Sequence, residues 1–182
     1  LIAYLGSDAA QLPVEQAGYV SLNVTLKSVN EQGLRFANAI LSDNDEIDLA
    51  DLKEMAKQLV DAERLSTTFR FIDGSSTLDA RAKRDIKRLL DWMAGQNLTN
   101  KEILIVGFTD NNGKSNVNMA LAGQRAQQVL NEMAAIAPVG MLERYKIKAV
   151  GLGETSPMAC GDAPRGRFVN RRVEVWIRDG NR

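Results

Sequence analysis

Strand-like and helix-like patterns alternate along this chain from residue 66 to residue 178, and only a few architectures accommodate that order. Four segments have the short apolar or alternating patterns of strands: 66–72, 103–109, 145–150 and 172–178. Two segments repeat apolar residues at helical spacing: 79–94 and 116–137. Each element must bury its apolar face against another layer. The alternation therefore predicts an α+β protein built as a two-layer α/β sandwich.

The patterns also predict burial. In the helix at 79–94 the inward positions are Ala82, Ile86, Leu89, Leu90 and Met93. The segment 103–109 (ILIVGFT) is apolar throughout, which is typical of a central strand. The segment 172–178 instead alternates apolar and polar residues, so one face would be wet. We expect that last strand to lie at an edge or to be half exposed.

The first 45 residues contain elements but no core of their own. Residues 1–12 have helical spacing until Pro13 and Gly18 interrupt it, and residues 19–26 have a strand pattern. One helix and one strand cannot bury each other adequately. We interpret residues 1–45 as the remnant of an upstream domain plus a linker. The start at Leu1, rather than at a methionine, indicates a piece of a longer precursor.

An acidic stretch precedes one further helix. Five carboxylates lie between Ser42 and Asp51, and the first of them, Asp43, could cap a helix that runs to about Ala62. The apolar stripe of that helix consists of Leu49, Leu52, Met55, Leu59 and Val60. The pattern predicts an extra helix in front of the sandwich.

Composition indicates a folded domain that lacks the usual catalytic groups. Apolar residues make up 45% of the chain and charged residues 25%, as in globular proteins with a packed core. The absence of histidine excludes Ser–His and Cys–His nucleophile pairs and HExxH metal sites. Cys160 is the single cysteine, so no intrachain disulfide can form. We expect no catalytic residue, no metal and no cofactor.

Charge and hydropathy restrict the partners. Basic and acidic residues balance at 23 each, so no overall field attracts nucleic acid or an anionic membrane. Residues 1–64 are acidic on balance and residues 65–182 are basic, which favours an anionic partner for the second part. The sequence contains no apolar run of about 20 residues and no signal-peptide pattern.

The segment Gly107–Val129 carries groups that could bind the end of an amino acid. Its strand ends in Asp110, and the following helix presents Asn118, Leu121 and Arg125 at spacings of three and four. A carboxylate can pair with an ammonium, and a guanidinium can hold a carboxylate in two parallel hydrogen bonds. The alternative is a structural ion pair between the aspartate and the arginine.

Ordered blocks of residues carry a more specific signal. They are Thr109-Asp110 with Gly113, then Asn118-x-x-Leu121-Ala122-x-x-Arg125-Ala126-x-x-Val129, then Gly151-x-Gly153-Glu154-x-x-Pro157, then Gly166-Arg167-x-x-Asn170-Arg171-Arg172-Val173-Glu174-Val175. In this order they resemble the OmpA-like peptidoglycan-binding family across residues 65–178. One departure is Ala122, where the family usually has a serine.

This resemblance implies a βαβαβ-type mixed sheet with helices on one face, which binds the meso-diaminopimelate of the peptidoglycan stem peptide. By carry-over, Asp110 holds the ammonium and Arg125 the carboxylate of its D-centre. Asn118 shapes the loop and can touch the ligand. The other residues implied at the ligand are Thr109, Leu121, Gly74, Ser75 and Arg171. Gly74 and Ser75 could offer backbone donors, whereas Arg171 could equally pair with an acidic residue and close the fold.

The resemblance also implies an organisation and a location. The OmpA-like domain would span 46–182, with its core at 65–178, in the periplasm and cell envelope of a Gram-negative bacterium. Residues 1–22 resemble the end of a phosphate-type periplasmic substrate-binding protein, which implies an upstream substrate-binding domain. The alternative function is an interaction module of such a fusion, with a purely structural Asp/Arg pair. Peptidoglycan is the expected partner, a homodimer is compatible with the resemblance, and nucleic acid is not expected.

Two rival functions have weaker support. A wall-cleaving glycosidase could use two carboxylates such as Asp73 and Asp110, but no spacing marks them as a pair. Nucleotide binding is suggested by Gly151-Leu152-Gly153 and several arginines, but the third glycine of a dinucleotide-binding loop is missing.

Overall fold

The computed structural model describes residues 4, 8–17, 22–28, 32–33, 35–37, 39, 48–71, 75, 77–78 and 81–180. Its strands are β1 (Leu26–Lys27), β2 (Glu63–Arg70), β3 (Lys101–Phe108), β4 (Lys146–Gly151) and β5 (Arg172–Asp179). They form one sheet in the order β1-β2-β5-β3-β4. β3 and β4 are parallel, and the other neighbours are antiparallel. The mixed sheet with its helices confirms the predicted α+β class.

Two helices cover one face of this sheet, as the sequence predicts for the core. They are α3 (Ala82–Gly95) and α4 (Ser115–Ile136). All five predicted inward residues of α3 are buried. They join one cluster with Ile103, Ile105, Val173 and Val175 from the sheet. Each large apolar side chain buried in this way contributes roughly 1.5–3 kcal/mol.

The opposite face is covered by the extra helix, α2 (Leu49–Leu59). Its Met55 and Leu59 pack with Leu104, Phe108 and Trp176 of the sheet. The cap of this helix is Asp48, whose carboxylate accepts a hydrogen bond from the Ala50 N–H, whereas the predicted cap, Asp43, lies outside the described residues. The sheet is therefore covered on both faces, by α3 and α4 on one side and by α2 on the other.

The last strand is the middle strand of the sheet, so the prediction of an edge or half-exposed position is wrong. β5 lies between β2 and β3, and residues 171–177 are all buried. Its polar face carries Arg172 and Glu174, whose side chains pair at 2.7 Å. Opposite charges two residues apart on one face neutralise each other, and both side chains are 0% exposed.

The described part of the amino-terminal region reaches the sheet. α1 (Asp8–Gln16) continues through Pro13, so the predicted interruption there is wrong. The predicted strand at 19–26 is reduced to β1, which pairs with Leu65 and Arg64 of β2; residues 18–21 lie outside the described residues. The described residues between Gln32 and Ala39 are helical, and Phe36 packs on Trp176. A further short helix, α5, is Pro164–Asn170.

Candidate site at one end of the sheet

Three strand ends meet at one end of the sheet. Arg70 of β2 lies opposite Arg172 of β5, which in turn lies opposite Phe108 of β3. Neighbouring strands are about 4.8 Å apart, so the end of β2 lies about 10 Å from the end of β3. The residues that follow or precede this row are Phe71, Asp110 and Arg171. The strand pairing thus gathers segments that are far apart in the sequence.

Asp110 follows the end of β3 and is held by a guanidinium. Its Oδ2 accepts a 2.7 Å hydrogen bond from Nη1 of Arg171, and each of the two side chains is 10% exposed. Its Oδ1 accepts a 3.2 Å hydrogen bond from the N–H of Asn112, which closes the turn after the strand. Gly113 completes that turn at φ +99°, where a side chain would be strained. The ion-pair partner of Asp110 is therefore Arg171, in the NRR block.

Asn118 links the turn to a second buried carboxylate. Its amide donates to the backbone oxygen of Asp110 at 3.5 Å and to Oε2 of Glu154. Asn118 is 4% exposed and Glu154 is also 4% exposed. The sequence pattern includes Glu154 in a family block, but nothing local predicts this contact, because the two residues are 36 positions apart.

Thr109 is tied to the loop that carries Glu154. Its N–H donates to the backbone oxygen of Gly153 at 2.8 Å, and Leu152 donates to the oxygen of Gly107 at 3.0 Å. Gly153 has φ +53°, and a Cβ there would lie 3.3 Å from the backbone N of Met119. The 109–114 loop and the 152–157 loop are therefore joined along their first residues.

Arg125 lies fully buried on α4 and contacts the segment after β2. Its Nε and Nη2 each donate to the backbone oxygen of Ser75 at 3.3 Å. Its guanidinium carbon lies 5.4 Å from the centre of the Phe71 ring, within cation–π range. Ser75 thus faces Arg125 through an acceptor, while Gly74 lies outside the described residues. Leu121 is half-buried on the same helix.

Glycines let α4 approach the sheet closely enough to carry these groups. A Cβ on Gly107 would lie 2.0 Å from the backbone oxygen of Ala122, and a Cβ on Gly151 would lie 2.4 Å from the backbone N of Gly123. Real Cβ atoms do not tolerate such distances, so α4 could not keep this position with any other residue at either place. Ala122 is fully buried at this contact.

A buried cluster of charged side chains lies next to the site, on the face of the sheet that carries Trp176. Arg172 donates to Glu174 at 2.7 Å and to the backbone oxygen of Ser156 at 2.8 Å. Arg35 reaches Glu174 from the amino-terminal segment at 3.0 Å. Burial would raise the pKa of Glu174, but the surrounding arginines outweigh it and lower the pKa to about 2. Burial lowers the pKa of Arg172 to about 10, with Glu174 opposing that effect, so both stay charged at neutral pH.

The described charged groups of the site suit a zwitterion. They comprise two carboxylates, Asp110 and Glu154, and two guanidiniums, Arg125 and Arg171. Within the described residues, no cluster of three metal-ligating side chains occurs. None of the described helices could span a membrane. The arrangement can bind an ammonium and a carboxylate that are held on one ligand.

Comparison with known proteins agrees with the fold and adds relatives. The sequence matches the OmpA family over residues 70–171. It is 40% identical over 75 residues to the peptidoglycan-binding protein ArfA of Mycobacterium tuberculosis, covering 41% of this chain and 22% of ArfA. It is 34% identical over 116 residues to outer membrane porin F of Pseudomonas fluorescens, covering 63% of this chain and 33% of the porin. The chain therefore spans a third or less of these relatives.

Two of the matching solved structures illustrate the shared fold. The peptidoglycan-associated lipoprotein from Burkholderia pseudomallei has a TM-score of 0.52 at 23% identity, over 61% of this chain and 89% of the lipoprotein. The periplasmic domain of Helicobacter pylori MotB has a TM-score of 0.51 at 20% identity, over 67% of this chain and 76% of that domain. Residues 1–22, with their phosphate-type resemblance, lie outside the stretch that matches the OmpA family.

Proposed function

The chain belongs to the OmpA family, and we propose that it binds peptidoglycan non-covalently and so holds an envelope protein against the cell wall. The name of ArfA, a peptidoglycan-binding protein that is 40% identical over 75 residues, supports this function. Because the match covers 22% of ArfA, the proposal concerns this domain and not the whole of either protein.

The ligand in this proposal is the meso-diaminopimelate of the stem peptide. Asp110 receives the ammonium of its D-centre and Arg125 receives the carboxylate. The observation that carries the assignment is that both side chains are buried at the same end of the sheet: Asp110 follows the end of β3, and Arg125 of α4 contacts the segment after β2, whose end lies about 10 Å from that of β3. Charged groups that are held in place and mostly shielded from water bind a small zwitterion more strongly than exposed ones do.

Arg171 has two roles in the proposal. It fixes the orientation of the Asp110 carboxylate through the 2.7 Å hydrogen bond, and it adds a second positive group beside the ligand. A carboxylate has about four acceptor positions, so the bonds from Arg171 and the Asn112 N–H leave Asp110 able to accept from an ammonium. The ion pair therefore orients the binding group without occupying it.

The remaining implied residues shape the walls of the site. Thr109 and Asn118 hold the 109–114 loop against the 152–157 loop, as their hydrogen bonds to Gly153 and Glu154 indicate. Leu121 supplies apolar surface beside Arg125. Gly74 and Ser75 supply backbone groups, and the oxygen of Ser75 already orients Arg125.

We infer a periplasmic location in a Gram-negative envelope, and a role in anchoring rather than in catalysis. An outer membrane porin among the relatives supports an envelope location. The relative named for its binding to peptidoglycan supports anchoring. The same proposal includes an upstream substrate-binding domain in the full-length protein and a homodimer.

Co-sedimentation with purified sacculi tests the proposed function. Wild-type protein should pellet saturably with sacculi whose stem peptides contain meso-diaminopimelate, and it should pellet less with sacculi that contain lysine instead. Loss of one partner of a shielded charge pair costs about 2–5 kcal/mol, so Asp110→Ala should abolish pelleting. Unchanged pelleting by a folded Asp110→Ala protein would refute the assignment. Release of soluble wall fragments would instead indicate catalysis.

A further inference from the structure

Two residues of the amino-terminal segment, by which we mean the described residues before β2, contact the two loops of the site. Arg35 donates from Nε to the hydroxyl of Ser156 at 2.8 Å, in the 152–157 loop. The hydroxyl of Ser115 donates to Oδ2 of Asp51 at 3.1 Å, immediately after the 109–114 loop. Both Arg35 and Asp51 precede the stretch that matches the family, 70–171. Two contacts from one side therefore hold the two loops that frame Asp110.

The Arg35 contact is built into the core. Arg35 also pairs with Glu174 at 3.0 Å, and its guanidinium lies 5.3 Å from the Phe108 ring and 5.7 Å from the Trp176 ring. Ser156 is 2% exposed. An arginine held by a buried carboxylate and two rings is a fixed donor, so it fixes the loop that carries Glu154 and, through Glu154, Asn118.

The Asp51 contact holds the start of the helix that carries Arg125. The N-cap residue of α4, Lys114, makes no capping hydrogen bond with its side chain. Asp51 lies in the first turn of α2, and its carboxylate meets the start of α4 through Ser115. A negative charge near a helix N-terminus is favourable there. Asn118 lies one turn further along α4, on the same side as Ser115.

We propose that Arg35 and Asp51 are positioning residues for the peptidoglycan site, so that docking of the amino-terminal segment sets the affinity for the wall. The inference rests on the proposed function and deepens it. It assigns the shape of the two loops to residues that touch no ligand. When these contacts are lost, the loops relax, and the ligand must restore their shape at the expense of affinity.

Ser156→Ala and Ser115→Ala test the inference, because each removes one contact and leaves the Arg35–Glu174 pair and the α2 backbone in place. Matched controls that each lose one hydrogen bond at the opposite end of the sheet are Tyr145→Phe, which removes the bond from the Tyr145 hydroxyl to the backbone oxygen of Met93, and Asn97→Ala, which removes the acceptor of the Thr99 N–H. Affinity for sacculi that contain meso-diaminopimelate, thermal midpoint and amide NMR shifts of the 109–114 loop are measured for all four.

Each serine variant should bind about threefold to tenfold more weakly, the size of one lost hydrogen bond, and should shift the loop amides. The controls should lower the thermal midpoint to a similar extent and bind like the wild type. Serine variants that bind like the wild type, while Asp110→Ala does not bind, would overturn the inference and leave the proposed function intact. A wild type that does not bind would overturn the proposed function itself.

Discussion

Arg171 and Asp110 form an ion pair of 2.7 Å across the ends of β5 and β3, with each side chain 10% exposed. The pair joins the residue before the central strand to the residue that we assign to the ligand ammonium. In our proposal this pair both closes the fold and orients the binding carboxylate, which combines the two roles that the sequence allows for Arg171.

Replacement of Arg171 should therefore affect both stability and binding. Arg171→Ala leaves Asp110 shielded from water without its partner, and such a loss costs about 3 kcal/mol or more. Urea denaturation and sacculus pelleting measure the two effects. Arg165→Ala is the matched control, since Arg165 is exposed on α5 and its loss should change stability by less than about 0.5 kcal/mol. An Arg171→Ala protein as stable as this control would contradict the role of the pair.

The lowered pKa of Glu174 predicts that the free energy of unfolding decreases in acid. Its pKa is lowered to about 2 in the folded protein from 4.5, so its stabilisation is complete above pH 4.5 and is lost as the pH falls toward 2. A shift of this size corresponds to about 3 kcal/mol. Denaturant unfolding from pH 7 to pH 2 should show that decline.

Glu174→Gln provides the control for this pH dependence. The variant leaves Arg172 and Arg35 without their counter-charge, so it should already be less stable at pH 7. Its stability should fall less than that of the wild type between pH 4.5 and pH 2. Parallel curves for the two proteins would show that Glu174 does not carry the acid dependence.

Two glycine substitutions should change the stability of the protein in opposite directions. Gly107→Ala places a Cβ 2.0 Å from the backbone oxygen of Ala122, so α4 must move away from the sheet, and we expect a loss of at least about 2 kcal/mol. Gly95→Ala meets no atom within 4 Å at the end of α3 and should stabilise by up to about 1 kcal/mol. Thermal unfolding of both variants measures these effects. Equal thermal midpoints for Gly107→Ala and Gly95→Ala would argue against the close approach of α4.

The contact between Asn118 and Glu154 should matter for binding as well as for folding. Asn118→Asp places a second carboxylate against Glu154 and should weaken sacculus binding by about tenfold at pH 7. The double variant Asn118→Asp/Glu154→Gln removes the repulsion and should recover part of the affinity. If the second change brings no recovery, the contact does not shape the site.

Local sequence patterns predict much of this fold, because the spacing of apolar residues determines which face of each helix or strand is buried. The five inward residues of α3 follow from the helical period alone, and the apolar run at 103–109 becomes an interior strand. β5 is different, since its alternating pattern is typical of a half-exposed strand. Its polar face is buried only because Arg172 and Glu174 pair with each other and Arg35 arrives from the amino-terminal segment.

The candidate site is partly predictable for the same reason. Asp110, Asn118 and Arg125 are visible in one strand-turn-helix segment, and the structure places all three at one end of the sheet. Glu154 meets Asn118 across 36 positions, and Ser75 meets Arg125 across 50. Contacts of that separation depend on the order of the strands, which the spacing of residues in a single sequence does not encode.

A titration with free meso-diaminopimelate tests the central claim most directly. Amide NMR shifts are followed in the wild type and in Arg125→Ala, with L-lysine as the control ligand because it lacks the second amino acid centre. We expect saturable shifts at Asp110 and Asn118 in the wild type, no saturation in Arg125→Ala and none with L-lysine. Unchanged spectra of the wild type at saturating ligand would contradict the account and reduce this group of charges to a structural role.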